Sequence, residues 1–174
     1  QAFALSYPTR TRSLILMDTV SEVGPELKII IEGWINALQS GDPEAFFNVT
    51  VPWNFSPAFI RNHPELLADA RKRYGDLDFP AVIELCKAFL KVHFTDQLHR
   101  IKCPTCIMVG EKDLLKGMDY ARMMARELPH AEVHVVPGAG HAACWENPPV
   151  FNTIILGFLA RLLESEHQPG RSET

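Results

Sequence analysis

Residues Val135–Pro149 read VVPGAGHAACWENPP, and this stretch decides which fold the chain is expected to adopt. A pair of β-branched residues is followed by Pro137–Gly140, where glycine allows a sharp turn that branched residues cannot make. The turn is expected to place His141 just beyond the end of a strand. Histidine titrates near neutral pH and is the usual proton carrier in such a position. The alternative interpretation is an ordinary loop histidine, because the chain contains seven histidines.

An acidic residue occupies a similar position in a second stretch, Thr105–Leu115, which reads TCIMVGEKDLL. Here too an apolar strand ends in a glycine, and Asp113 follows it closely. The order strand, acid, helix, strand, histidine is typical of a right-handed crossover, which brings both strand ends to one edge of a sheet. We therefore predict that the carboxylate of Asp113 lies within hydrogen-bond distance of Nδ1 of His141.

The composition limits the classes of partner. The chain has 174 residues, of which 47% are hydrophobic and 22% charged, as in a soluble globular protein. The net charge is −4 and the two signs are interspersed, so neither nucleic acid nor an anionic membrane is an expected partner.

The number and surroundings of the cysteines bear on the cellular compartment in which the chain is expected. Cys103 and Cys106 have CxxC spacing, but no second CxxC follows, so a metal or redox site is the less favoured alternative. Four sparse cysteines in mostly apolar surroundings behave as small hydrophobic side chains. We expect no metal site, and a location in the reducing cytoplasm.

The hydrophobic pattern divides the chain into four segments. Residues 1–20 combine the end of a helix with an apolar strand at Ser13–Asp18. Residues 21–97 show helical spacing and turn signals without a strand, which predicts an all-helical insertion. Residues 98–164 return to alternating strands and helices, and residues 165–174 form a polar tail that is expected to fray.

The same periodicities predict the individual elements. Further strands are predicted at Cys106–Val109 and Val133–Val136, and core helices at Gly117–Leu128 and Pro148–Glu164. The insertion is predicted to contain a long helix that ends at Gly41–Pro43, a short helix at Pro43–Val49, an irregular turn at Val51–Pro57, and helices at Pro57–Asn62, Pro64–Tyr74 and Pro80–Val92.

The two motif stretches, Ile101–Asp113 and Pro137–His141 followed by Glu146–Pro148, resemble the C-terminal half of an α/β hydrolase. The helical insertion resembles the cap of the family's small esterase, enol-lactone hydrolase and cofactor-free haloperoxidase branch, with Trp53–Pro57 as the suggestive piece. The resemblance implies an α/β fold of about three parallel strands with flanking helices, capped by residues 21–97. It also implies that the protein needs no cofactor.

The resemblance assigns roles to the two motif residues. Asp113 would be the acid of a Ser-His-Asp triad and His141 its base. Residues 1–7 would belong to the helix that follows the nucleophile elbow. Four apolar side chains are candidates for binding a small apolar ester-like substrate: Trp53, Phe55 and Phe59 of the cap, and Leu114 of the loop that carries Asp113 (the acid loop). The alternative is that these side chains pack in the core.

The chain departs from the family at the nucleophile. The family places its serine in G-x-S-x-G on a strand-to-helix turn, and no serine here has those flanking glycines. We therefore expect the chain to be the C-terminal part of a carboxylic ester, lactone or thioester hydrolase whose serine lies outside it. The alternative is an inactive truncated remnant that survives as an oligomer or a binding module. In both cases we expect residues 1–18 to be covered by the missing half as a second chain or by self-association.

Overall fold

A computed structural model describes residues 1–166 of the chain, with side chains described as far as Glu164. Its three strands are β1 (Leu14–Met17), β2 (Thr105–Gly110) and β3 (Ala131–Val136). The helices are α1 (Ala2–Ser6), α2 (Pro25–Gln39), α3 (Pro43–Asn54), α4 (Pro57–Asn62), α5 (Pro64–Tyr74), α6 (Phe79–Phe89), α7 (Met118–Glu127), α8 (Ala143–Glu146) and α9 (Pro148–Glu166), with 3₁₀ turns at Pro8–Arg10 and Thr95–Arg100.

The three strands form one parallel sheet in the order β1-β2-β3. Leu14 pairs with Thr105 and Thr105 with Ala131, so the strands start in register and run in the same direction. Every residue of β2 is buried, as expected for a central strand covered on both faces. The carboxyl ends of all three strands therefore meet at one edge of the sheet, and this edge carries the candidate site.

Alternate residues of β2 face opposite layers of helices, because successive side chains of a strand point to opposite faces. Ile107 and Val109 pack with α7, whose buried residues here are Ala121 and Met124. Cys106 and Met108 pack on the other face with α9, where they meet Phe151 and Phe158. The sheet is thus a middle layer between α7 and α9, as in other α/β folds.

The five helices α2–α6 lie between β1 and β2 in the chain, and their starts follow from the sequence. Pro25, Pro43, Pro57 and Pro64 each occupy the first position of a helix, where proline's missing N–H costs no hydrogen bond. A third apolar cluster joins this helical insertion to the core. Its buried members are Val20, Leu27, Ile31, Leu115 and Tyr120.

One predicted boundary in the insertion is wrong. The sequence predicts a helix that ends at Val49 and an irregular turn from Val51, but α3 continues to Asn54 with Pro52 inside it. Proline normally interrupts a helix interior. Here only two helical residues follow Pro52, and burial of Phe46 and Val51 stabilises the last turns. Tertiary packing therefore outweighs the local propensity.

The final helix also extends beyond its predicted end at Glu164, so the first two residues of the predicted polar tail are helical. The rest of that predicted tail lies outside the described residues. Within residues 1–166, no helix combines the length and apolar character that crossing a membrane requires.

Candidate active site

The structure brings Asp113 and His141 together at the carboxyl ends of β2 and β3. Oδ2 of Asp113 lies 2.9 Å from Nδ1 of His141. The other oxygen, Oδ1, accepts hydrogen bonds from the backbone N–H groups of Leu115 (2.8 Å) and Lys116 (2.9 Å). The Asp113 side chain is fully buried, whereas 16% of the His141 side-chain surface remains exposed. The carboxylate is thus fixed by its own loop and presents one free oxygen to the imidazole.

The loops that carry these two residues are joined through their backbones. The N–H group of Lys112 donates to the carbonyl of Ala139 at 2.7 Å, and that of Glu111 donates to Val136 at 3.0 Å. A Cβ on Gly110 would lie 2.0 Å from the Gly140 carbonyl oxygen, which no side chain can tolerate. Glycine at this position therefore permits the two loops to approach closely enough for the acid and the histidine to meet.

A third ionisable residue, Asp18, lies at the same edge directly after β1. Its carboxylate and the ligand atoms of Asp113 and His141 all lie within 4.8 Å of one another. The backbone of Asp18 adopts the left-handed conformation, with φ of 46°, and its Oδ1 is buried without a hydrogen-bond partner among the described residues. Burial raises the pKa of Asp18 to about 6, and the nearby His141 opposes this rise.

Asp18 was not among the site residues predicted from the sequence, although the sequence contains a signal for it. Leu14–Asp18 is an apolar strand that ends in an aspartate, the same pattern that singles out Asp113. Because parallel strands end at one edge of a sheet, each such aspartate is a candidate for that edge.

In both groups of potential metal ligands among the described residues, other contacts already engage some of the ligand atoms. In the group formed by Asp18, Asp113 and His141, both Asp113 oxygens already accept or share hydrogen bonds. A second group contains Cys106 and Glu132 together with His134. There burial raises the pKa of the Cys106 thiol to about 11, and Arg161 binds the Glu132 carboxylate at 2.6 Å. A metal ion requires the thiolate and would compete with this guanidinium.

His141 lines an open cavity of about 220 Å³ between the helical insertion and the core. Its walls are mainly apolar and come from α2, α6 and the acid loop; they include Ile31, Trp34, Leu85, Phe89, Leu115 and Lys116. The Lys116 ammonium lies 4.8 Å from the centre of the Phe89 ring, and burial lowers the pKa of this lysine. Apolar walls around one imidazole are typical of small-molecule sites.

The predicted substrate-binding residues lie elsewhere than on the cavity that His141 lines. Trp53 packs against the apolar cluster that joins the insertion to the core. Phe55 and Phe59 stack with ring centres 5.0 Å apart and line a separate cavity of about 260 Å³ with Trp145. Leu114 is 66% exposed.

Two physical reasons explain these positions. Because α3 remains helical through Asn54, Trp53 belongs to a helix rather than to an open turn, and it packs against the apolar cluster. On the acid loop, the adjacent Leu115 is buried and lines the cavity in place of Leu114.

No protein-family model matches the chain. Sequence similarity extends over 162 residues to a protein of Caulobacter sp. (strain K31) that is named as a carbamate hydrolase, RutD, with 25% identity. The alignment covers 91% of this chain and 60% of that relative. The chain therefore spans less than two thirds of the relative's length.

Solved structures of hydrolases also resemble this chain over part of their length. The α/β hydrolase MGS-M2 from a Medee basin deep-sea metagenome library superposes with a TM-score of 0.86 at 26% identity, covering 99% of this chain and 62% of its own. A thermophilic esterase from Thermogutta terrifontis gives 0.80 at 27% identity, with 92% and 60% covered. The enol-lactonase from Burkholderia xenovorans LB400 gives 0.82 at 21% identity, with 91% and 60% covered, a likeness of fold alone. The chain therefore has the α/β-hydrolase fold and is related to hydrolases of the α/β type.

Proposed function

We propose that this chain contributes the acid and the base of a hydrolase that cleaves a carboxylic ester, lactone or thioester. The observation that carries the proposal is the bond of 2.9 Å between Asp113 and His141 at the mouth of an apolar cavity. Similarity to a thermophilic esterase at 27% identity supports this reaction class. In the proposed triad the catalytic serine belongs to a polypeptide segment other than these 174 residues.

In the proposed reaction His141 accepts the proton of the serine hydroxyl as its oxygen attacks the substrate carbonyl carbon. The same imidazole then returns that proton to the leaving group, and an acyl-enzyme forms. Water, deprotonated by His141, then attacks the acyl carbon; the bond from this carbon to the serine oxygen breaks, the imidazolium returns its proton to the serine oxygen, and the carboxylic acid leaves. Asp113 holds Nδ1 and stabilises the imidazolium that exists between these proton transfers.

The substrate is proposed to occupy the cavity lined by Trp34, Phe89 and Leu115, with its carbonyl carbon near His141. The insertion formed by α2–α6 is proposed to act as the lid over this space, since it supplies most of the apolar wall. The second cavity, at Phe55 and Phe59, is proposed to hold the remote part of a longer substrate.

The outer edge of β1 is proposed to be covered by another polypeptide segment. Among the described residues β1 pairs only with β2, and Met17 is 43% exposed. An unpaired apolar strand edge readily pairs with another chain. The segment that carries the serine, or a second copy of this chain, is proposed to provide that cover.

The chain is proposed to reside in the cytoplasm. All four cysteines are free thiols, and the reducing cytoplasm keeps cysteines in this state.

A fluorophosphonate probe tests the proposed function. The chain is purified with the polypeptide encoded upstream of Gln1, labelled, and digested for mass spectrometry. We expect one labelled serine, located outside residues 1–174, and loss of labelling in His141→Ala. A label on a serine of this chain, or equal labelling of His141→Ala, contradicts the proposal. Absence of labelling, together with absence of p-nitrophenyl ester hydrolysis, favours the binding-module alternative.

A further inference from the structure

Glu146 connects the loop that carries His141 to the helical insertion. Its Oε1 accepts the backbone N–H group of Gly140 at 2.9 Å, on the residue directly before His141. The same carboxylate accepts the N–H group of Ser56, with its two oxygens at 3.2 and 3.1 Å. Ser56 lies between α3 and α4, 90 residues away in the chain. One side chain thus bridges the histidine loop and the insertion.

Backbone contacts on either side of His141 show that the histidine loop and the insertion fit closely. The N–H group of Ala142 donates to the carbonyl of Asn54 at 2.8 Å. A Cβ on Gly140 would lie 2.6 Å from the nitrogen of Ser56 and 2.9 Å from the carbonyl carbon of Phe55. His141 therefore lies between two residues, Gly140 and Ala142, that are both held against the insertion.

The junction between the histidine loop and the insertion requires a hydrogen-bond acceptor for two buried N–H groups. Ser56 is only 3% exposed and Gly140 is buried, so water does not compensate their N–H groups fully. A buried N–H group without an acceptor is costly, whereas bonds to a charged acceptor are among the strongest in proteins. The Ser56 side chain does not serve this purpose, because its hydroxyl accepts the N–H group of Phe59 at 3.2 Å.

We propose that Glu146 is a positioning residue for His141, which keeps the imidazole aligned with Asp113 by fastening the histidine loop to the insertion. Asp113 fixes the ring from the side of the core, and Glu146 fixes the backbone that carries the ring. A displacement of the insertion at Ser56 would therefore move the imidazole directly. The effect of Glu146 on ring position stands by itself, while its value for catalysis rests on the proposed function.

Nuclear magnetic resonance of the purified chain tests this inference through the imidazole itself. In Glu146→Ala we expect hydrogen exchange of the Gly140 and Ser56 amides to accelerate about tenfold or more. We also expect the low-field Nδ1 proton resonance of His141 to weaken or disappear. Exchange at Ile107 and Val109 in β2 should remain unchanged, because these amides belong to the core.

Two further variants make the test specific. Glu146→Gln retains one acceptor oxygen, so it should partly restore Gly140 protection and the His141 resonance. Glu164→Ala removes an exposed glutamate of α9 and should behave as the unchanged protein. A wild-type His141 resonance in Glu146→Ala contradicts the inference, as does an equal loss of protection throughout the core. If Glu146→Ala fails to fold, Glu146→Gln decides the matter: a wild-type His141 resonance together with lost protection of the Gly140 and Ser56 amides contradicts the inference.

The same measurements separate this inference from the proposed function. An altered His141 resonance in a protein system without esterase activity would retain the positioning role and reject the hydrolase. Esterase activity together with an unaltered His141 resonance in Glu146→Ala and Glu146→Gln would support the hydrolase and reject the positioning role of Glu146. In an active preparation, Glu146→Ala should lower kcat and leave KM nearly unchanged, since Glu146 does not line the cavity at His141.

Discussion

Oδ2 of Asp113 and Nδ1 of His141 lie 2.9 Å apart although 28 residues separate them in the chain. The intervening residues form the helix α7 and the strand β3, which is a crossover between parallel neighbours. The crossover from β2 through α7 to β3 therefore brings the two residues together at one edge of the sheet. Because Oδ1 of Asp113 is already occupied by two backbone N–H groups, Oδ2 alone is available to orient the ring.

The Asp113→Asn variant tests that orientation. The amide oxygen should retain the backbone bonds of Leu115 and Lys116, so its NH₂ group would face Nδ1 of His141. Nδ1 must then accept a hydrogen bond, which shifts the neutral imidazole to the opposite tautomer. We expect ¹⁵N shifts of His141 to report this change, and an active preparation to lose about 10⁴-fold in kcat. Asp119→Asn, in which the side chain is fully exposed, is the control; an unchanged tautomer in Asp113→Asn would contradict the prediction.

Asp18 predicts a specific dependence of stability on pH. Its pKa of about 6 in the folded chain exceeds the value of about 3.9 expected in the unfolded chain. Between these two values the folded state holds the proton more tightly, so the free energy of unfolding falls as pH rises through this window. The Asp18→Asn variant has no carboxylate at this position, so its free energy of unfolding should not fall in this way. At pH 7 it should be more stable than the unchanged protein by up to about 3 kcal/mol.

Urea unfolding at pH 3.5 and pH 7 measures the Asp18 effect. Asparagine tolerates the left-handed backbone found at this position, so the substitution adds little strain. The stability gain should nearly vanish at pH 3.5, where Asp18 is protonated in the folded state and mostly protonated in the unfolded state. Asp18 also interacts electrostatically with Asp113, His141, Lys116 and Cys144, all of which both variants retain. Equal gains at both pH values would show that charge is not the cause.

Gly110→Ala tests the contact between the acid and histidine loops. The new methyl group would lie 2.0 Å from the Gly140 carbonyl oxygen and 2.6 Å from that of Ala139. Because these are backbone atoms, the histidine loop must move, at a cost of about 3 kcal/mol. Gly33→Ala is the matched control, since no atom lies within 4 Å of its new methyl group. Alanine in this helix interior should instead add about 1 kcal/mol in thermal unfolding.

Tyr120→Phe tests the attachment of α2 to the core. The Tyr120 hydroxyl donates to Glu26 at 2.5 Å and accepts the N–H group of Gly24 at 3.1 Å. Its removal leaves the partly buried N–H group of Gly24 without this acceptor, whereas the exposed Glu26 carboxylate is hydrated by water, and should lower the free energy of unfolding by about 1 kcal/mol. Tyr7→Phe, at a half-exposed position, should have almost no effect in the same denaturant titration. Equal effects of the two substitutions would refute the assigned role.

Phe89→Ala and Phe59→Ala distinguish the two cavities in an active preparation. Phe89 lines the cavity at His141, and Phe59 lines the one at Trp145. For a short p-nitrophenyl ester, Phe89→Ala should raise KM about tenfold, the factor that corresponds to about 1.4 kcal/mol. Phe59→Ala should raise KM only for esters with longer acyl chains. The reverse pattern would assign the short substrate to the Phe59 cavity.

The local pattern of the sequence was sufficient for the sheet and the acid–histidine pair. Continuous apolar runs predict buried parallel strands, and a strand-helix-strand unit has essentially one handedness. The ends of β2 and β3, with Asp113 and His141 just beyond them, must therefore share one edge. Prolines at helix starts likewise placed α4 and α5 within the insertion at their observed bounds.

Only the tertiary structure decided which side chains surround His141. A shift of one residue reverses the direction of a side chain, so Leu115 rather than Leu114 lines the cavity. Because α3 continues through Pro52, Trp53 packs in the apolar cluster that joins the insertion to the core. The sequence by itself determined the strands, their order of appearance and the two residues at their ends, because these depend on local periodicity and chain handedness. The position of Asp18 beside the pair and the bridge from Glu146 to Ser56 depend on packing between distant segments, which no local pattern specifies.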